Sequence, residues 1–224
     1  MSIAMGQRSD SSNKSSRGRK YAGRSPEGRR AERRERLLRS GLELFGTQGY
    51  QTVSIERLCS HARVTARHFY EEFPSREALL LAVMDRVMQR VMDATVRATE
   101  RAPVDVRSRV RSGVEAFVHA MLDDPRRARV VCVEAVGVSP ELEKGRREWM
   151  RAYARLVEAQ GQMLTEAGQA PDQEYYLGAL MLVGGTNELI VDWLSHSPPP
   201  PLDSLINAVS YMFEVMTFGR DRSR

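Results

Sequence analysis

The stretch from Gly49 to Ala82 constrains the fold of this chain more than any other part of the sequence. Apolar residues at positions 55, 58, 59 and 62 follow the i, i+3, i+4, i+7 spacing of one helix face, and Ser54 precedes them as an N-cap. Thr65 can cap a second short helix, which Pro74 ends. Only residues 61–64 remain for a turn between them. The pattern therefore predicts a helix-turn-helix unit.

Two longer predicted helices flank this unit. Upstream, Ser25 and Pro26 are typical of an N-cap and a first helical position, and an apolar stripe follows them as far as Gly49. Downstream, Ser75 can cap a helix whose apolar residues keep the helical period through Val91. We expect this last helix, to about residue 101, to be the one element that joins the amino-terminal unit to the rest.

Positive charge is concentrated at the amino-terminal end. Residues 1–90 contain 18 Lys or Arg against 10 Asp or Glu, a net charge of +8, whereas residues 91–224 have a net charge of −3. This asymmetry is typical of a chain that meets a polyanion with one end, and nucleic acid is the natural polyanion. Residues 1–24 are basic and poor in apolar groups, which predicts a disordered arm. A DNA-contacting arm and a solubilising tail both remain open.

At these residues the chain resembles the tetracycline-repressor (TetR) family of bacterial transcription regulators. The matching segments, within about residues 33–85, are LFGTQGY, VSIERLC, VTARHFYEEF and PSREALLLAV. The chain departs from the family pattern at Arg63, where Gly is usual, and at Arg67, where a small residue is usual. A non-Gly residue in a left-handed turn costs about 1 kcal/mol, so we expect a turn of different shape here.

The resemblance also implies which residues meet DNA. Ala66, Arg67 and Tyr70 fall where the family reads bases. Ser54, Ile55, His68 and Arg76 fall where the family contacts phosphates, although Ile55 lacks the hydroxyl that is usual at its position. Arg67 can form a bidentate contact with guanine, or it can pair with Glu71 at i+4. The predicted DNA-binding set is Ser54, Ile55, Thr65, Ala66, Arg67, His68, Tyr70 and Arg76.

The remaining two-thirds of the chain are predicted to be helical, because no alternating strand pattern occurs. We expect an all-α fold of about nine helices, with an N-terminal three-helix DNA-binding domain (25–75, the helix-turn-helix proper at about 54–73) and a C-terminal helical ligand-binding and dimerisation domain (76–224). The later helices are predicted at about 106–122, 126–136, 140–167, 171–195 and 202–218.

The last two predicted helices carry more apolar residues than contact with a single core requires. Surplus apolar surface on both predicts a four-helix interface between two copies of the chain. The resemblance implies the same homodimer, because the family dimerises through its last two helices. The predicted interface residues are Leu189, Trp193, Val209, Met212, Phe213 and Met216.

Motifs for catalysis or metal binding are missing from the carboxy-terminal domain. Glu115 and His119 lie at i, i+4, but neither a repeated Glu-x-x-His, nor His-Glu-x-x-His, nor Gly-x-Ser-x-Gly occurs. Cys59 and Cys132 lie in apolar helical patterns and are expected to be buried reduced thiols. We therefore predict no catalytic residue, no metal and no cofactor, and a domain that binds a ligand without transforming it.

The resemblance implies that the central helices enclose a small molecule whose binding weakens DNA affinity. Candidate lining residues are His119, Trp149, Tyr153, Met163 and Asn187. The predicted protein is a ligand-responsive transcriptional regulator, a repressor that binds a near-palindromic operator as a homodimer and is released by an unidentified effector. A ligand-independent architectural DNA-binding protein and a helical enzyme fused to a DNA reader are the alternatives.

The amino terminus lacks the apolar core of a signal peptide, and no run of 18 apolar residues occurs in the sequence. We therefore expect a cytoplasmic protein with no contact with a membrane.

Overall fold

The computed structural model describes residues 25–218, so the predicted arm over residues 1–24 lies outside the described part of the chain. Within that part every regular element is helical, which confirms the predicted all-α fold. The α-helices are α1 (Pro26–Gln48), α2 (Ile55–Ala62), α3 (Ala66–Glu72), α4 (Arg76–Arg101), α5 (Val106–Leu122), α6 (Pro125–Arg129), α7 (Pro140–Glu166), α8 (Tyr176–Ser195) and α9 (Leu202–Phe218). A 3₁₀ turn (Tyr50–Thr52) follows α1, and a π-helical turn (Val130–Glu134) continues α6.

Hydroxyl caps set the starts of the first four helices at the predicted positions. The Ser25 and Ser54 side chains each accept a hydrogen bond from the backbone amide three residues later, at 3.0 and 3.2 Å. Thr65 and Ser75 cap α3 and α4 in the same way, at 3.3 and 3.1 Å. Each cap satisfies an amide that has no partner within its helix, so the start of each helix is a local property of the sequence.

The turn between α2 and α3 keeps the conformation that glycine usually provides, although Arg63 occupies it. Arg63 has φ 53° and ψ 51°, and the Val64 amide donates to the Cys59 carbonyl at 3.0 Å. This is a Schellman ending with a left-handed arginine. The expectation of a differently shaped turn was therefore wrong, and the turn bears the steric cost of the Cβ atom instead.

Two helices in the carboxy-terminal part differ from prediction. The helix expected over 126–136 is α-helical only to Arg129, and the wider π turn places three consecutive residues, 130–132, in buried positions. The helix expected from 171 begins at Tyr176, because Tyr175 takes part in a tertiary contact. Its hydroxyl donates to the Pro171 carbonyl at 2.6 Å, and its ring lies so close to Gly161 that an added Cβ would be 2.7 Å away.

One continuous apolar core joins the two parts of the molecule. Helices α1, α2 and α3 form a small bundle around Phe45, Leu58 and Phe69, each fully buried. Helix α4 packs on α1 at Gly41, where an added Cβ would be 2.9 Å from Val83, and then runs beside α5. Helix α9 packs on α5 and α8 packs on α7, so α4, α5, α7, α8 and α9 surround the interior of the larger part.

Helix α8 is long and apolar enough to cross a membrane by length and composition alone. Its mean hydropathy reaches 1.2 over an 18-residue window, of which 22% is buried. The absence of an uninterrupted apolar run therefore did not exclude such a helix. The unburied share shows that much of the apolar surface of α8 faces outward in a single copy of the chain.

Candidate functional site

Helix α3 is fixed by its inner side and open on its outer side. The Phe69 and Phe73 rings are buried, with centroids 6.1 Å apart, and the Arg34 guanidinium lies 4.5 Å from the Phe73 ring. On the opposite side Ala66, Arg67 and Tyr70 are exposed, as base-reading residues must be. The anchored aromatic side holds the outward side chains in a rigid arrangement, which sequence-specific contact requires.

The Arg67 side chain is 88% exposed, and its Nε atom lies 3.2 Å from Glu71 Oε1. Of the two states expected from the sequence, the described chain therefore adopts the i+4 ion pair. Tyr70 is 57% exposed, with its ring edge-on to Phe69 at 5.5 Å. Both side chains project from the outer side of α3 and are largely accessible.

The other residues of the predicted DNA-binding set, apart from Arg76, fall into three groups. Ser54 and Thr65 are exposed caps, and the His68 ring is half-buried with Nδ1 at 3.0 Å from the Thr65 hydroxyl. Ile55 is half-buried and packs against the core, and its side chain offers DNA no hydrogen bond.

Arg76, which was expected near a phosphate, is partly exposed and also contacts the protein. Its Nη1 atom donates to the Val53 carbonyl at 2.7 Å, and its guanidinium lies 4.1 Å from the Tyr50 ring centroid. Val53 and Tyr50 are both buried. Arg76 therefore ties the start of α4 to the segment between α1 and α2.

A cavity of about 150 Å³ lies among α4, α5, α7, α8, α9 and the π turn. Its lining is overwhelmingly apolar and includes five methionines, whose flexible side chains adapt to ligands of different shape. Cavities of this size that are lined by apolar groups stay dry and bind small apolar molecules. The cavity is thus a candidate ligand site inside the protein core.

Three of the five predicted lining residues are in the cavity wall, and two are not. Trp149, Tyr153 and Asn187 line the cavity. His119 is exposed and bonds Asp123 at 2.9 Å, because it lies on the outer side of α5. Met163 is half-buried outside the wall, since its neighbours Gly161 and Leu164 occupy the inner side of that turn. These two predictions were wrong about the orientation of the side chains.

The cavity wall contains buried polar groups that periodicity alone did not reveal. The Tyr153 hydroxyl has no hydrogen-bond partner within the described residues, and burial raises its pKa. An unmade bond of this kind costs about 1–3 kcal/mol. Burial also raises the pKa of the Cys132 thiol to about 12, so this thiol is protonated and unreactive at neutral pH.

Arg109 also lines the cavity and was not among the predicted lining residues. Its Nη1 atom donates to Gln160 Oε1 at 2.9 Å, and both residues line the cavity. The sequence indicated this position through helical spacing, because Arg109 lies four and eight residues before Gly113 and Phe117 on the inner side of α5.

Helices α8 and α9 each present an apolar face to the outside. The exposed residues on these faces are Leu177, Met181, Leu189, Tyr211, Met212 and Val215. Leu189 and Met212 were predicted for a dimer interface and lie on these faces. Val209, Phe213 and Met216 instead line the cavity, because they occupy the side of α9 that packs inward. Trp193 is half-buried, and its indole donates to the Pro200 carbonyl at 2.8 Å.

A second junction, besides α4, connects the two parts of the molecule. Glu134 in the π turn accepts a hydrogen bond from the Tyr50 amide at 2.7 Å, and its other oxygen lies 3.1 Å from Arg129. Arg126 bonds Glu43 of α1, and an added Cβ at Gly46 would be 2.5 Å from the Arg126 side chain. The expectation that α4 alone joins the parts was wrong, because α1 packs directly on α6 and the π turn.

Comparisons with known proteins agree with this architecture. Residues 37–83 match the family described as "Bacterial regulatory proteins, tetR family". The chain is 31% identical to the HTH-type transcriptional regulator EthR of Mycolicibacterium smegmatis over 159 residues, which cover 66% of this chain and 71% of EthR.

Solved structures of two regulators named FadR have a similar fold. FadR from Bacillus halodurans is 19% identical with a TM-score of 0.73, over 86% of this chain and 97% of that chain. FadR from Bacillus subtilis, solved in complex with stearoyl-CoA, is 16% identical with a TM-score of 0.72, over 83% of this chain and 98% of that chain.

Proposed function

Because this chain belongs to the tetR family of bacterial transcription regulators, we propose that it is a repressor released from its operator by a small molecule. The observation that carries this proposal is the apolar cavity, whose wall includes residues of α4 and of the π turn. Both elements also contact the amino-terminal bundle. A ligand in the cavity therefore touches elements that pack on the bundle containing α3.

For DNA recognition, residues 25–75 act as the reading domain and α3 enters a major groove. Ala66, Arg67 and Tyr70 face the base edges, while the capped helix starts at Ser54 and Thr65 approach the backbone together with His68. Two readers in a symmetric dimer require half-sites about one helical turn apart, or a multiple of it, on a near-palindromic operator.

For assembly, the exposed faces of α8 and α9 pair with the same faces of a second copy to form a four-helix interface. Leu177, Met181 and Leu189 are apolar, but Glu188 and Asp192 are also exposed on α8. Carboxylates within an 18-residue membrane span are costly, which favours a protein partner over a bilayer. Residues 76–224 act as the ligand-binding and dimerisation domain of a cytoplasmic protein.

The experiment uses the DNA that flanks the gene of this protein, searched for an inverted repeat. Fluorescence anisotropy of a labelled duplex measures operator affinity with and without candidate effectors. Binding of effector and operator must be reciprocal, so saturating operator weakens effector binding by the same factor. Operator binding that no candidate effector changes, or equal effector affinity with and without operator, favours an architectural DNA-binding protein.

A further inference from the structure

We infer that the cavity is a binding site for an aliphatic carboxylate, with the carboxylate at Arg109 and the alkyl chain along α4 and α7. This inference deepens the proposed function and rests on it for the regulatory role of the ligand. Four features of the cavity support it, namely its shape, its charge, its unused donors and its volume.

The shape favours a chain over a compact ring system. Lining residues on α4 extend from Met84 to Thr99, which is about 22 Å along the axis at about 1.5 Å per residue. On α7 they extend from Arg146 to Leu164. A volume of about 150 Å³ spread over this length makes a narrow channel. A narrow apolar channel accommodates an extended alkyl chain and excludes fused rings.

The charge favours an anion. Among the described residues that line the channel, two are arginines and none is Asp or Glu. Arg146 is neutralised by Glu143, at 3.2 Å between Nη2 and Oε2. Arg109 contacts the neutral Gln160, and no carboxylate of residues 25–218 lies within ion-pair distance of it. An uncompensated guanidinium in an apolar wall is a binding group for a carboxylate.

The unused hydrogen-bonding groups are donors. Arg109 Nε is buried without a partner within the described chain. The Tyr153 hydroxyl faces the Thr95 side chain but makes no hydrogen bond of ordinary geometry within that part of the chain. Tyr153 is 5% exposed and lines the channel. Thr95 and Thr186 in the same wall already donate to carbonyls of their own helices. Donors without partners select a ligand with acceptor oxygens and disfavour an amine.

The volume favours the free acid over a coenzyme A thioester. A cavity of about 150 Å³ holds about one benzene-sized molecule when rigid, and the five lining methionines let it lengthen for a chain of about six to ten carbons. Arg109 and Arg146 are the only cations in its described wall, which are too few for the several phosphate charges of a nucleotide carrier.

The test is calorimetric titration of the full-length protein with decanoate, 1-decanol, decylamine and decanoyl-CoA. We expect decanoate to bind at least tenfold more tightly than 1-decanol, decylamine not to bind, and affinity for shorter alkanoates to fall about fourfold per methylene removed. Tighter binding of 1-decanol or of decanoyl-CoA than of decanoate would overturn the inference.

Variants locate the carboxylate. Arg109→Gln should weaken decanoate binding at least tenfold and leave 1-decanol binding unchanged, whereas Arg109→Lys should retain most of the affinity. Tyr153→Phe should weaken decanoate binding by a smaller factor. The matched control is Arg107→Gln on the same helix, since the Arg107 side chain is 84% exposed and pairs with Glu214. Equal decanoate affinity in the wild type and Arg109→Gln would overturn the assignment.

Operator anisotropy separates this inference from the proposed function. Decanoate that binds through Arg109 without changing operator affinity leaves the site assignment intact and contradicts the ligand-responsive repressor. Operator release by another compound, with no decanoate binding, supports the repressor and overturns the site assignment.

Discussion

Arg67 and Arg76 carry the same guanidinium group in opposite environments. Arg67 pairs with Glu71 on the open surface of α3, and an exposed i,i+4 pair contributes only a few tenths of a kcal/mol. A guanine can therefore replace Glu71 as its partner at little cost. Arg76 is only partly exposed, and it directs its guanidinium at the Val53 carbonyl and the Tyr50 ring.

Arg67→Ala should lower operator affinity by about 1–3 kcal/mol and relax base preference at one position of each half-site, because a lost bidentate contact penalises only the sequence that offered it. Selection of bound duplexes from a random pool measures the preference. The control is Glu71→Ala, which frees Arg67 and should leave the selected motif unchanged. Identical motifs from wild type and Arg67→Ala would show that Arg67 does not read bases.

Arg76→Ala should lower the free energy of unfolding by about 2 kcal/mol, because the buried Val53 carbonyl loses its donor and the Tyr50 ring loses its cation. Chemical denaturation measures this change. Arg97→Ala on the same helix is the control, since Arg97 is exposed and should change stability by less than about 0.5 kcal/mol. A folded Arg76→Ala protein with a smaller salt dependence of DNA binding would instead indicate a phosphate contact.

Arg63→Gly should stabilise the protein by about 1 kcal/mol, since glycine adopts the left-handed conformation of residue 63 without a Cβ clash. For a chain of this size the melting temperature should rise by about 2–4 °C. Arg63→Ala keeps the Cβ atom and should show no such rise. Equal melting temperatures for the two variants would mean that the turn is unstrained.

At the scale of elements, α8 and α9 are helices with two apolar sides. One side of α9 lines the cavity through Val209 and Phe213, and the other exposes Tyr211 and Met212. Burying both sides requires a partner in addition to the intramolecular core, and the outer sides together form the proposed dimer face.

Met181→Asp combined with Met212→Asp should convert the dimer to monomers and abolish tight operator binding, because unpaired charges in an apolar interface cost several kcal/mol and a single reader loses the gain of linked binding. Light scattering with anisotropy measures both effects. Val104→Asp is the control, since Val104 is also an exposed apolar residue, 50% accessible, but lies outside α8 and α9. If the doubly substituted protein still forms a dimer, the interface lies elsewhere.

At the scale of the whole molecule, the π turn connects the cavity to the reading domain. Val131 and Cys132 line the cavity, while Glu134, two residues later, holds the Tyr50 amide. The Tyr50 hydroxyl in turn donates to Glu77 at the start of α4, at 2.8 Å. The two junctions, α4 and the π turn, therefore meet at Tyr50.

Glu134→Ala should raise the hydrogen-exchange rate of the Tyr50 amide about tenfold, since that amide loses its acceptor. Glu134→Gln keeps an acceptor oxygen and should leave the rate near that of the wild type. We also expect Glu134→Ala to reduce the factor by which an effector lowers operator affinity. An unchanged factor in Glu134→Ala would mean that α4 alone transmits the change.

The amino-terminal helices were predictable because their signals are local. A Ser or Thr cap bonds an amide three residues away, and a proline ends a helix whatever the tertiary surroundings. The starts of α1 to α4 and the inward positions of Phe69 and Phe73 follow from such short-range chemistry. The same sequence signals predicted an all-α chain with a helix-turn-helix unit.

Which side of an element faces the interior depended on contacts distant in the sequence. Periodicity cannot distinguish two apolar sides, so Val209, Phe213 and Met216 were predicted at the dimer interface, whereas all three line the cavity and Phe213 and Met216 remain half-exposed. The orientation of the Arg76 side chain depends on a carbonyl 23 residues earlier, and that of the Arg109 side chain depends on a glutamine 51 residues later. Helix positions follow from local bonds in the sequence, whereas the channel, its free donors and its link to the reading domain exist only where separate helices pack together.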